Sequence, residues 1–151
     1  MRAMDRTTRT WITAAAAAAV AGGLCWVAKQ GVIAATVPPT GGPPPEGLSI
    51  GVPYLMGAAL MAVSGSGLVA VMTVGWTTVL RVVAALVVSP LIFWGIFTLV
   101  DRVVDAVAGP DAGWWWPGEG AILLTGLLFA SVGAVVLVRR RTSAVVVSSS
   151  N

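Results

Sequence analysis

Charged residues along this chain stand in clusters separated by long apolar runs. Residues 10–28 carry no charge, nor do residues 47–80, 82–100 and 120–138, giving runs of 19, 34, 19 and 19 residues. A charge at the centre of a bilayer costs about 2.5–3.5 kcal/mol on insertion scales, so such runs mark the segments that lipid accepts. A helix of 19 residues rises about 28 Å, close to the roughly 30 Å of a hydrocarbon core. The pattern predicts four spanning helices, at about residues 10–30, 51–75, 82–100 and 120–138. The run of 34 holds one span, because two spans and a loop do not fit in it. Pro53 is acceptable there in a first helical turn, and residues 76–80 then make a short interfacial turn. The expected fold class is an all-α integral membrane protein, a bundle of four transmembrane helices forming a single membrane domain over residues 1–151.

Between the runs lie segments of different character. Residues 37–50 include Pro38, Pro39, Pro43, Pro44 and Pro45 and are expected to form an extended, solvated loop. Residues 101–119 form an acidic, Trp-rich loop. Its start places Asp101 and Asp105 four residues apart on one helical face, which suggests a short surface helix ending at Gly109-Pro110. The tail, residues 139–151, opens with Arg139-Arg140-Arg141, a stop-transfer cluster with affinity for anionic lipid. From Thr142 onward the tail is expected to be disordered on its own, with Ala144 to Val147 able to dock.

Composition strengthens the membrane reading. Hydrophobic residues make up 57% and charged residues 10%, whereas soluble domains are about 25% charged. Charge also orients the chain. With the N-terminus inside, the inner segments hold Arg2, Arg6, Arg9, Arg81, Arg139, Arg140 and Arg141 against Asp5, a net +6. The outer segments hold Lys29 and Arg102 against Glu46, Asp101, Asp105, Asp111 and Glu119, a net −3. Basic residues collect on the cytoplasmic side, so both termini are expected there. The ratio of eight Arg to one Lys, with abundant Ala, Val and Gly, points to a high-GC bacterium and to its cytoplasmic membrane. In general style the chain resembles small multi-pass proteins of actinobacteria, a likeness that implies no function.

The first helix admits two readings. Arg2 to Arg9 followed by the Ala run 14–19 also looks like a secretory signal peptide. No clear A-x-A cleavage site follows, and Leu24 is too bulky to precede a lipidated Cys25. A retained helix is therefore expected, with a cleaved leader as the alternative.

Trp11, Trp76, Trp114, Trp115 and Trp116 fall at predicted span ends and are expected to anchor the helices at the headgroups. Gly126, Ala130 and Ala134 form a four-residue row of small side chains suited to close helix packing, and similar rows run through Ala14, Ala18 and Gly22 and through Ala62, Ser66 and Ala70. Pro90 is expected to kink the third span. Lys29 has two placements. If the first helix ends near Ala28, the ammonium snorkels to the headgroups; if the helix runs on to about Thr36, Lys29 needs a partner, with Asp101 or Asp105 as candidates.

The absence of His and the single Cys remove His-based catalysis, Cys/His metal sites and an intramolecular disulfide. An enzyme is not expected, and no cofactor or metal. Coupled transport usually needs buried acids or bases. The chain is similar in size to the four-helix small multidrug exporters, but lacks the Glu those carry in the first helix. It resembles phage holins in size, span number and basic tail. The leading expectation is an accessory or scaffold subunit of a membrane complex, with lipid and other membrane subunits or itself as partners and no nucleic acid. The alternative is a pore-forming or transport homo-oligomer.

Overall fold

The computed structural model describes residues 6–37, 47–109 and 116–148, with side chains through Thr142 apart from Trp116. All elements among these residues are helical: α1 (Arg6–Thr36), α2 (Leu48–Ser64), α3 (Ser66–Met72), α4 (Thr78–Ala108) and α5 (Trp116–Ser148). Four stretches are long and apolar enough to cross a membrane: Arg6–Thr36, Leu48–Met72, Thr78–Ala108 and Pro117–Thr142. The chain thus has the make-up of a multi-pass membrane protein.

Helices α2 and α3 act as one span because Gly65 between them keeps right-handed helical angles, φ −59° and ψ −20°. Gly65 also lets α4 approach: a Cβ there would lie 2.9 Å from the Ser89 Cα. The span ends in a turn over Thr73–Thr77, where Gly75 takes φ +96°. This turn comes earlier than the expected 76–80, and α4 begins at Thr78. At its far end α4 does not stop at residue 100 but continues through Asp101 and Asp105 to Ala108, so the expected separate surface helix is the last part of α4. Pro90 lies inside α4, which is helical on both sides of it. Helix α5 likewise runs on through Ser148, making a helix of the part of the tail expected to be irregular.

The helices form a ring. Helix α1 packs along α5 and along α2–α3, and α4 packs against α5, α2 and α3. Helices α1 and α4 therefore stand diagonally opposite, meeting through long side chains: Trp26 presents its ring to Phe93 and Phe97 at 5.9 and 5.7 Å. Phe129 of α5 closes the cluster from the fourth side, 5.9 Å from Phe93.

The α1–α5 seam has a strict antiparallel register. Arg9 meets Arg140, Ala16 meets Gly133, Gly23 meets Gly126, and Gln30 meets Glu119. Each step is seven residues on both helices, or nearly two turns, which brings the same face back with a drift of only about 20°. The backbones nearly touch: a Cβ on Gly133 would lie 2.6 Å from the Ala16 carbonyl oxygen, and one on Gly126 3.0 Å from that of Gly23.

This register corrects the expected packing row. Gly126 is buried in the seam, and Ala130 borders it beside Gly23, but Ala134 is exposed and Gly133 occupies its place. Steps of four residues advance about 40° each around a helix, so a row of two such steps leaves the contact face. Among the expected anchors, Trp11 is half-buried and Trp76 is exposed. Trp114 and Trp115 lie outside the described residues, and Trp116 opens α5 with its side chain outside the description.

Candidate functional site

Helix α1 runs on to Thr36, so Lys29 lies within it, only 4% exposed. Its partner is Glu119, not Asp101 or Asp105. The Lys29 Nζ donates to Glu119 Oε1 at 2.7 Å and to Oε2 at 2.5 Å. Two facts of the fold cause this. The seam register sets Glu119 level with Lys29 and Gln30 on the adjacent helix, while Asp101 and Asp105 sit on the diagonal helix, half-exposed and exposed. Glu119 also occupies the first turn of α5, where the helix dipole favours a negative charge.

The pair is enclosed by further polar contacts. Gln30 Nε2 donates to Glu119 Oε2 at 2.5 Å and to the Glu119 backbone carbonyl at 3.3 Å. The Lys29 ammonium stands 5.4 Å from the centre of the Tyr54 ring, within the range of a cation–π attraction. Tyr54 is in turn stacked on Trp26, with ring centres 5.6 Å apart. Trp26 Nε1 donates to the Tyr54 carbonyl at 2.8 Å, which satisfies the indole of a side chain that is only 1% exposed. Three spans thus converge here: α1 with Trp26, Lys29 and Gln30, α2 with Tyr54, and α5 with Glu119.

The depth of this cluster follows from charge spacing. Lys29 is 20 residues from Arg9, Glu119 is 20 from Arg139, and Asp101 is 20 from Arg81. Each interval is about 30 Å of helix, one hydrocarbon thickness. With the arginines at one boundary, Lys29 and Glu119 lie at the other, where α1 carries on for seven residues to Thr36. The Lys side chain would otherwise turn to the headgroups. Here it turns sideways to α5, and its side chain is 5% exposed against 16% for Glu119.

The opposite end has a clasp of its own. Arg81, 7% exposed, donates from Nε to the Thr73 carbonyl at 2.9 Å and from a guanidinium nitrogen to the Thr8 hydroxyl at 3.4 Å. It ties the start of α4 to the end of α3 and the start of α1. Arg140 donates to the Arg9 carbonyl at 2.8 Å and to the Thr13 hydroxyl at 3.3 Å, closing α5 onto α1.

Chemically, the Lys29–Glu119 cluster is an internally paired one. Both carboxylate oxygens accept from Lys29 and Oε2 also accepts from Gln30, so the contacts run between α1 and α5. Cys25, half-buried, is the single thiol, and among the described residues no cluster of three or more His, Cys, Asp or Glu is placed to hold a metal. Glu119, Gln30, Tyr54 and Trp26 were not expected in one site. The 20-residue charge intervals put Lys29, Glu119 and Asp101 at one level; helix order then selects Glu119. Compared with protein-family models, with curated proteins and with solved structures, the chain matches none.

Proposed function

We propose that this protein is a non-catalytic accessory or scaffold subunit of a membrane complex in a bacterial cytoplasmic membrane, with both termini on the cytoplasmic side. The observation that carries the reading is the outward face of α4. A smaller share of this span is buried than of any other. Trp94 on it is 64% exposed, three residues from the middle of the uncharged run 82–100, so about 4.5 Å from the bilayer centre. Indole prefers the headgroup level, and lipid tails offer its N–H no acceptor. A neighbouring subunit does. The Lys29–Glu119 cluster supports the same reading, since its contacts tie α5 to α1.

Capture of the tagged protein from native membranes in a mild detergent tests this. Partners of fixed stoichiometry are expected, and Trp94→Ala should release them while leaving the helical content intact. A pure homo-oligomer that conducts or transports in vesicles would sink the proposal in favour of the second reading, a pore or transporter. That reading draws on the ionisable pair inside the spanning helices, a usual mark of ion and substrate pathways, and predicts that Lys29→Ala abolishes flux. The orientation rests on the seven-to-two bias of basic residues. In a Cys25→Ala background, cysteine at Thr40 or Ala112 should react with an impermeant reagent outside intact cells, and cysteine at Ser149 should not.

A further inference from the structure

At the Arg-rich end the bundle is not filled. A groove of about 570 Å³ opens there, walled on one side by the α1–α5 seam and on the other by the Ser64 to Val71 stretch of α2–α3. Helix α4 contributes only Ile96 to it, because the nearer half of α4 is engaged elsewhere, with Ser89 against Gly65. On α1 the lining runs from Ile12 to Ala19 and on α5 from Leu128 to Val136. Measured from Arg9 and Arg139, these stretches reach from about 4.5 Å inside the hydrocarbon boundary to about its middle. Along α1 and α5 the groove therefore spans one leaflet's depth. Small side chains, Ala15, Ala16, Ala19, Gly67 and Gly133, make it hollow. The hydroxyl in its wall, on Ser64, is already donating to the Met61 carbonyl, so the hollow offers hydrocarbon and nothing polar.

Beyond its mouth the two seam helices, α1 and α5, carry cations. Arg140 follows Val136 by one turn of α5 and holds only neutral acceptors, the Arg9 carbonyl and the Thr13 hydroxyl. Arg9, three residues before Ile12 on α1, and Arg141, next after Arg140 on α5, are exposed. None of these three is within ion-pair distance of a carboxylate among the described residues. An apolar slot one leaflet deep along α1 and α5, with guanidinium groups one turn beyond it that meet no carboxylate among the described residues, matches one amphiphile: a chain with a phosphate head. We propose that the groove seats an acyl chain of an anionic phospholipid from the leaflet on the Arg-rich side, its phosphate held by Arg140 and Arg9. The zwitterionic lipid of equal chain length fits the slot but meets net positive charge with no net negative charge of its own. A lipid so held completes the packing between α5 and the α2–α3 span where α4 leaves it open.

Native mass spectrometry of the full-length protein in mild detergent tests this, with phosphatidylglycerol and phosphatidylcholine of identical chains offered in equal amounts. One phosphatidylglycerol per chain should be retained, favoured by about fivefold or more for each cation engaged. Arg140→Gln should cut that preference about fivefold. Val132→Trp and, from the facing wall, Leu68→Trp change half-exposed positions on the rim and should block the slot, removing the bound lipid with unchanged helical content. Equal retention of the two lipids by the unaltered protein would overturn the proposal. So would phosphatidylglycerol retention that survives both tryptophan variants, because the arginines alone would then be gathering lipid at the surface.

Discussion

Removing Glu119 should destabilise the bundle more than removing Lys29, and removing both should cost less than either. With Glu119→Leu, the Lys29 ammonium stays at a position where its side chain is 5% exposed, keeping only the Tyr54 ring as an attractive neighbour. Breaking a buried ion pair from one side costs about 3–5 kcal/mol, since the remaining charge is left without compensation. Lys29→Met leaves a carboxylate that is 16% exposed and still accepts from Gln30, which places its cost at the lower end, about 2–3 kcal/mol. In the Lys29→Met/Glu119→Leu double variant no buried charge remains, and apolar replacements of similar size are often neutral. Gln30, half-buried, then loses its acceptor but is near enough to the boundary to find water. The coupling between the two positions should therefore be at least as large as the larger single loss, about 3–5 kcal/mol. Reversible unfolding in mixed micelles by a denaturing detergent gives all four stabilities, followed by helical circular dichroism and by the fluorescence of the tryptophans, Trp26 among them. If the two single losses simply add in the double variant, the pair is not the clasp described above. If Lys29→Met costs more than Glu119→Leu, the depth ordering is wrong.

Four other substitutions probe the packing with the same unfolding assay. Gly126→Leu should cost at least about 1–3 kcal/mol by forcing α1 and α5 apart, because even a Cβ at Gly126 lies 3.0 Å from the Gly23 carbonyl oxygen; Ala134→Leu, on an exposed position, should change stability little. Thr125 is fully buried and its hydroxyl has no hydrogen-bond partner, so the isosteric Thr125→Val should stabilise the protein by about 1 kcal/mol, and a loss of that size would show a hidden partner. Gly95 is a helical, exposed position with nothing near an added Cβ; Gly95→Ala should leave the monomer's fold unchanged or gain about 0.5–1 kcal/mol, and a loss of subunit association in that variant would locate a partner helix at this notch.

What the order of residues alone determined is the number and depth of the spans. Charges cost too much in hydrocarbon to be placed anywhere but at its boundaries, so the 20-residue intervals Arg9–Lys29, Arg81–Asp101 and Glu119–Arg139 read directly as helices about 30 Å long. The ends beyond those boundaries were less legible: α1 carries on past Lys29 to Thr36, the second of the two ends the sequence allowed, while α4 runs past Asp101 and α5 past Arg141, because outside the bilayer a charge no longer marks where a helix must stop. Which face of each helix turns inward was not legible either. In water an amphipathic stripe points to the core; in lipid the outward face is as apolar as the inward one, and association rests on close packing instead. Many four-residue rows of small side chains exist in so Ala- and Gly-rich a chain, and only the antiparallel seam selects Gly23, Gly126 and Gly133 and turns Ala134 outward. For the same reason Lys29 had acids at one level on two helices to choose from. The ring order, which sets α5 beside α1 and α4 across from it, gave the ion pair to Glu119.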